Sequence, residues 1–384
     1  LNRLVNEIEE IFEKSIDYKR ELDDAEVRYL IERAVVSVCD KDHIPLEERR
    51  KIVKHIFDKR RRYGVLEPLL QDEDISEIMV NNEKEIFYEK NGCIYRYEHF
   101  FDSKETLVKI IRNMMLVANR TINERNPIAE ARLLNGERVC AVLENIAIDG
   151  PVLSIRKFSD KYISLGSLVE NGTLNDEISG FLRNIVEKRY NIIVSGGTSS
   201  GKTTFLNVLS EFIGKNERVV TIEDSLELNL GHVENIIKLE VKEEVIMIDA
   251  KKLLKTALRL RPDRIIVGEV RGKEAFYMLQ AMNTGHDGSM STIHANSSRD
   301  MLSRLEGMVG SEFDLPISSI KNYISGAIDI LIHLKKISEG KRVISEILQL
   351  MGVEKDGYVL NKLFEFKNGG YDKGNTLMPK GSWP

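Results

Sequence analysis

The chain has 384 residues, 42% hydrophobic and 30% charged, ordinary globular usage for a length that fits about two or three domains. Its 56 Lys and Arg against 61 Asp and Glu leave a net charge of −5, which argues against a surface built as a whole for nucleic acid or membrane. The three cysteines, Cys39, Cys93 and Cys140, lie far apart and form no C-x-x-C pair, which excludes a disulfide framework and a four-cysteine zinc site.

No apolar run approaches the ~20 residues needed to span a bilayer, and no signal-peptide pattern opens the sequence, so the reading is of a cytoplasmic protein. Residues 1–62 read as an N-terminal helical segment. Leu4, Ile8 and Phe12 recur every fourth residue, and Val27, Leu30, Ile31, Ala34, Val35 and Val38 form a longer amphipathic stripe. After Pro45 a third helix carries Ile52 and Ile56, and it is basic through Arg49, Arg50, Lys51, Lys54, Lys59, Arg60, Arg61 and Arg62. That charge reads as a solvated face or as a docking face for an acidic partner or lipid headgroups.

From Tyr63 the pattern changes to short strands at 77–80, 85–88, 93–97, 138–143 and 152–156, with one helix at 107–118. This is the layout of a smaller α+β domain, residues 63–160. The segment 157–174, with Gly166, Asn171 and Gly172, reads as a linker. In residues 161–384 strands at 192–195, 218–223, 265–268 and 289–293 alternate with helices, the pattern of an α/β domain with a mostly parallel sheet. Short strands at 330–334 and 342–350 close it, and the polar tail after Asn368 is expected to be loose.

The run Gly196-Gly197-Thr198-Ser199-Ser200-Gly201-Lys202-Thr203 fits G-x-x-x-x-G-K-[ST] between a strand and a helix, the context this phosphate-binding loop requires. Its glycines let backbone N–H groups wrap phosphates at a helix N-terminus. Lys202 would reach the β- and γ-phosphates, Thr203 would ligate Mg2+, and Thr204 would touch the inner phosphate. The run Arg264-Ile265-Ile266-Val267-Gly268-Glu269 is an apolar strand that ends in a carboxylate. A carboxylate at the carboxyl end of such a strand points into the ligand crevice, so Glu269 is the candidate for polarising the attacking water. Gly268 stands where this element usually carries Asp. The strand ending at Glu223 and Asp224 could supply the missing metal-side carboxylate, with Glu223 the candidate. In Thr284-Gly285-His286-Asp287-Gly288-Ser289 and Ser291-Thr292-Ile293-His294, two histidines flank one short strand. His294 ends it on the side of Glu223 and Glu269, where it could sense a γ-phosphate. His286 sits in a glycine-flanked turn and is a weaker candidate for nucleotide contact. The pair is too sparse for a stable metal cluster.

In order, GGTSSGKTT, TIEDSLEL, LRLRPDRIIVGEVRG and TGHDGSMSTIHANS resemble the Walker A, Asp-box, Walker B and His-box stretches of the secretion ATPase superfamily, which serves type II and type IV secretion and type IV pili. The stretches YGVLEPLL, ARLLNGERV and DGPVLSIRKFS are most similar to the Tad/Flp pilus assembly (CpaF-like) group. The match spans roughly residues 63–350; Cys140 and Glu144-Asn145 depart from the group's usual Asn and Pro-Pro, and the tetracysteine module of the type II subgroup is absent. The resemblance implies a RecA-like P-loop ATPase domain behind the smaller α+β domain, a homohexamer, and an ATP- and Mg2+-dependent motor. Its partner would be an inner-membrane pilus or secretion platform protein, to which the ATPase would be recruited at the inner face of the cytoplasmic membrane. It carries roles onto Lys202 and Thr203, Glu223, Glu269 and His294, and adds the arginines Arg132, Arg138 and Arg156 as phosphate contacts and Arg271 as a nucleotide-site residue that closes the site. Two other readings stay open: a type IV secretion traffic ATPase, and a nucleotide-gated scaffold with negligible turnover. A nucleic-acid motor is disfavoured, because no basic stripe interleaved with aromatics is present.

Overall fold

The computed structural model describes residues 7–8, 11–12, 14–15, 24–39, 44–61, 63–133, 136–157, 163–242, 247–337, 341–355 and 357–380. The chain divides into two compact units, Leu1–Asp160 and Lys161–Pro384. Leu4, Arg62, residues 158–162 of the expected linker and with them the boundary at 160/161 lie outside the described residues, as do the side chains of Lys59, Arg60 and Arg61.

In the first unit, helices α1 (Asp24–Cys39) and α2 (Leu46–Arg61) bury the expected stripe: Val27, Ile31, Ala34, Val35 and Val38 pack with Ile52, Val53 and Ile56, and with Ile8 and Phe12. Arg49 turns inward. Its Nε donates to the Ile44 carbonyl at 2.7 Å and an Nη to that of Cys39 at 3.4 Å, satisfying acceptors at the end of α1. Arg50, Lys51 and Lys54 are exposed.

Six strands follow: β1 (Ile75–Val80), β2 (Ile86–Lys90), β3 (Cys93–Arg96), β4 (Ile128–Arg132), β5 (Arg138–Val142) and β6 (Val152–Arg156). They form an antiparallel sheet ordered β3-β2-β1-β6-β5-β4. Helix α3 (Lys104–Val117) starts at Ser103, whose hydroxyl accepts the Thr106 N–H, a conventional N-cap. It lays Leu107, Ile110, Ile111, Met114 and Met115 on one face of the sheet, against Ile78, Val80, Val139, Ala141, Leu153 and Ile155. The alternate residues line the other face.

The second unit is an α/β domain. Its strands are β7 (Ile192–Gly196), β8 (Arg218–Glu223), β9 (Asn235–Glu240), β10 (Arg264–Val267), β11 (Met290–His294), β12 (Ile330–Lys336), β13 (Arg342–Glu354), β14 (Gly357–Lys367) and β15 (Gly370–Lys373). The order is β15-β14-β13-β12-β7-β11-β10-β8-β9. The six strands from β12 to β9 run parallel, and β13 to β15 add an antiparallel margin. Helices cover both faces. Ile192 and Val194 point to a layer containing α4 (Asp176–Glu187) and α5 (Lys202–Ser210). Ile193 points to the opposite layer, built from α6 (Ala250–Ala257), α7 (Glu274–Asn283), α8 (Ser298–Gly310) and α9 (Ile317–Ala327). Burial on both faces is why these strands read as continuous apolar runs.

The tail is not loose. The Gln349 side-chain amide donates to the Met378 carbonyl at 2.8 Å and accepts the Met378 N–H at 2.9 Å, and Lys380 reaches Asp287 at 2.6 Å. Part of the expected linker is likewise ordered: Ser164 caps a helix at Leu165–Glu170, whose Leu165 and Leu168 join the core. At the amino-terminal edge of the parallel strands Arg264 is 1% exposed. Its Nε and an Nη grip Glu217 at 2.7 and 2.9 Å, another Nη donates to the Val186 carbonyl at 2.9 Å, and Arg189 reaches Glu217 as well. Burial pushes the Glu217 carboxyl up, but the two arginines outweigh it and hold the group at about 2.

A carboxyl depressed in the folded state contributes stability above its unfolded value and loses it as pH falls toward the folded one. Denaturant titrations at stepped pH should therefore show stability falling between the ordinary glutamate range and about pH 2. Glu217→Gln should lack that component and cost about 3 kcal/mol at neutral pH, because Arg264 is left charged and buried.

Candidate functional site

Parallel strands gather their carboxyl ends at one edge of a sheet, where α/β folds bind ligands. Here β7 ends in the glycine-rich loop, β11 in His294, β8 in Glu223, and β10 leads into Gly268 and Glu269. Gly196 stands in register with His294 on one side and Leu334 on the other. A Cβ on Gly196 would lie 2.7 Å from the Leu334 carbonyl oxygen, so only glycine fits. Ser199 and Gly201 hold left-handed backbone, at φ 57° and 87°, and α5 begins at the next residue, Lys202.

Lys202 is 8% exposed. Its Nζ donates to the carbonyls of Gly196 at 3.2 Å and Gly197 at 3.0 Å, and lies 3.2 Å from His294 Nδ1. The same ammonium lies 3.5 Å from His294 Nε2, which is itself 3.1 Å from Glu269 Oε1, an oxygen that accepts no hydrogen bond. Burial and then the Lys202 charge lower the His294 pKa, against the pull of Glu269. The ring is thus neutral at pH 7. The other Glu269 oxygen, Oε2, accepts from Arg271 Nε at 2.9 Å and an Arg271 Nη at 2.6 Å. The remaining Nη of Arg271 meets Asp224 at 2.8 Å. A continuous chain therefore runs Lys202, His294, Glu269, Arg271, Asp224.

Glu223 is 3% exposed. Its Oε2 accepts the N–H groups of Glu227 at 2.7 Å and Leu228 at 2.8 Å, whereas Oε1 is buried with no hydrogen-bond partner. Burial raises its pKa despite those two bonds. A Cβ on Gly268 would sit 3.2 Å from Glu223 Cγ. This crowding explains why glycine, not the usual Asp, follows β10. The Ser200 hydroxyl is also buried without a partner. An orphaned carboxylate oxygen and an orphaned hydroxyl suit a site that takes a hydrated divalent cation with its phosphate ligand.

The structure brings Lys202, His294, Glu269 and Arg271 together and sets Glu223 at the same sheet edge. It does not bring His286 there. His286 precedes β11, so a five-residue strand, about 16 Å long, separates it from His294; its Nδ1 lies 3.2 Å from the Ala281 carbonyl oxygen. In the first unit, Arg132 pairs with Arg138 across β4 and β5, and Arg138 with Arg156 across β5 and β6. The three arginines form one row on the sheet face opposite α3, continued by Glu77 of β1. Two contacts had no motif to announce them: Thr292 Oγ1 donates to the Gly268 carbonyl at 2.7 Å, and Arg342 Nε donates to that of Ser199 at 3.0 Å.

The family model for type II/IV secretion system proteins matches residues 59–348. An uncharacterized protein of Methanocaldococcus jannaschii is 42% identical over 244 residues, 60% of this chain and 33% of that one. The chain thus spans about a third of the archaeal relative's length. The conjugal transfer protein TrbB of Rhizobium radiobacter is 30% identical over 295 residues, 75% of this chain and 88% of that protein. Among solved structures, the ATPase DotB of Legionella pneumophila superposes with a TM-score of 0.54 at 22% identity, covering 73% of this chain and 78% of that one. This likeness shows the fold: the second unit has the RecA-like architecture of the secretion ATPases.

By NMR, the His294 imidazole should titrate below an ordinary histidine. Lys202→Met should move it up by removing a cation, and Glu269→Gln should move it further down. Gly196→Ala should lower stability by about 1–3 kcal/mol, read as a drop in melting temperature.

Proposed function

The chain belongs to the type II/IV secretion system protein family, and on that premise we propose that it is a Mg2+-dependent ATP hydrolase, working as a homohexameric motor for a Tad/Flp-type pilus or a related secretion machine. The observation that carries the hydrolase reading is the chain from Lys202 through His294 to Glu269 beside the glycine-rich loop. The N–H groups of the loop and the start of α5 bind the phosphates. Lys202, now folded back on its own loop carbonyls, turns to the β- and γ-phosphates as they enter. Its departure removes the positive charge that lowers the His294 pKa, so His294 registers an occupied site and changes its hold on Glu269. Glu269 orients the attacking water and takes its proton, a role its place after β10 allows. Thr203 and the free oxygen of Glu223 would hold the metal side of the site. Mg2+ bound there supplies charge neutralisation at the β- and γ-phosphates.

The arginine row supports the same reading. Arg132, Arg138 and Arg156 match positions the family uses on phosphates, and strand pairing sets them in one row. In the motor, they approach the phosphates as charge builds in the transition state. Among the described residues no helix is long and apolar enough to cross a membrane. The motor is recruited to a platform protein at the cytoplasmic membrane face, with Arg50, Lys51 and Lys54 of α2 as the docking face.

The subgroup assignment rests on the motif stretches most similar to Tad/Flp ATPases. A type IV secretion traffic ATPase is the second reading, favoured by the likeness to a conjugal transfer protein over most of both chains.

Steady-state phosphate release with Mg-ATP, alongside light scattering of the eluted protein, tests the proposal. Lys202→Ala should abolish turnover. Glu269→Gln should keep nucleotide binding and lose about 10²–10⁴ in kcat. Turnover in either variant at the wild-type rate would overturn the site assignment. Absent turnover in the wild type, with assembly that still responds to ATP, would point to a nucleotide-gated scaffold.

A further inference from the structure

The strands β12 and β13 back the phosphate loop at three places. Leu334 walls Gly196, as described above. His333, 6% exposed, sets Nδ1 2.8 Å from the hydroxyl of Ser195, one residue before the loop. Arg342, the first residue of β13, donates Nε–H to the Ser199 carbonyl at 3.0 Å, and its Cδ would lie 3.2 Å from a Cβ on Gly201. Arg342 is half-buried, and among the described residues no carboxylate pairs with it. It therefore grips Ser199 by a hydrogen bond and lies beside Gly201, the two residues of the loop whose backbone is left-handed.

That grip matters most at Ser199. A left-handed conformation at a non-glycine residue costs about 1 kcal/mol and persists only where its surroundings hold it. The carbonyl and the following N–H of a trans peptide point in opposite directions. Fixing the Ser199 carbonyl toward Arg342 therefore turns the Ser200 N–H into the loop. There it makes a long 3.4 Å bond to the Gly197 carbonyl, one that an incoming phosphate oxygen can readily replace.

We propose that Arg342 is a positioning residue for nucleotide: a latch on the Ser199 carbonyl that presets the loop's N–H groups toward the phosphates without touching them. The inference rests on the phosphate-binding reading of this loop. A latch needs only the donor at the Nε position, whereas a phosphate contact needs the charge. Glutamine separates the two, because its amide nitrogen falls at the same point along the side chain as Nε of arginine.

The test is equilibrium binding of a fluorescent ADP analogue with Mg2+ to the full chain and to Arg342→Ala, Arg342→Gln, Arg342→Lys and Lys202→Ala. Arg342→Ala should weaken binding about tenfold. Arg342→Gln should recover to within about threefold of the wild type, and both should keep the melting temperature of the nucleotide-free protein. Amide hydrogen exchange at Ser200, Gly201 and Lys202 should quicken in the alanine variant and not in the glutamine variant. Wild-type affinity in Arg342→Ala, while Lys202→Ala loses binding, would overturn the latch alone. So would glutamine binding as weakly as alanine with lysine restoring affinity, which would mark Arg342 as a charge on the phosphates. Wild-type affinity in Lys202→Ala would overturn the phosphate-binding reading and the latch with it.

Discussion

The parallel register that sets Gly196 between His294 and Leu334 is the constraint on which the site depends. It places the start of the phosphate loop against a backbone carbonyl on one side and an imidazole on the other. A slip of one residue would send every side chain of β7 to the opposite face. Ile193 and Val194 would then exchange the helical layers into which they are packed. The hydrophobic core therefore fixes the polar geometry: helices on both faces lock the strands, and the locked strands deliver Lys202, His294, Glu269 and Glu223 to one edge.

At that edge the charges are interdependent. A buried ammonium is costly unless partnered, and Lys202 answers that cost with two loop carbonyls and His294. The imidazole's pKa is lowered by burial and by Lys202, and its Nε2 stands 3.1 Å from Glu269. Arg271 then divides its guanidinium between Glu269 and Asp224. No member can change partner without altering its neighbour, which makes the arrangement responsive to an anion at the loop. At the amino-terminal edge the Arg264–Glu217–Arg189 cluster is the opposite kind of network. It is closed, bidentate and largely buried, and its work is to hold the strand starts.

The first unit shows the same separation between packing and charge. One face of its sheet is an apolar bed for α3. The other carries Arg132, Arg138 and Arg156 side by side, with Glu77 next in the row.

Much of this was legible in the sequence because it depends on local spacing. The stripe on α1, the α/β alternation, the glycine-rich loop and the acids at strand ends follow from periodicity and turn chemistry over a few residues. Strand β4 was not legible: Ile128–Arg132 is rich in Ala and Glu, which give little strand preference. Nor were β14 and β15, whose pairing answers to an adjacent strand rather than to their own pattern. The resemblance of Arg132, Arg138 and Arg156 to family positions marked each one, but only strand pairing made them a row. The demotion of His286, the crowding of Gly268 by Glu223 and the hold of Arg342 on Ser199 needed tertiary structure, since each joins residues far apart in the chain or separates two that look alike. By itself the sequence determined which residues could do phosphate chemistry, because that depends on residue type and local backbone. Which of them meet was decided by the register of the parallel sheet, because only packing sets distances between strands whose order in space differs from their order in the chain.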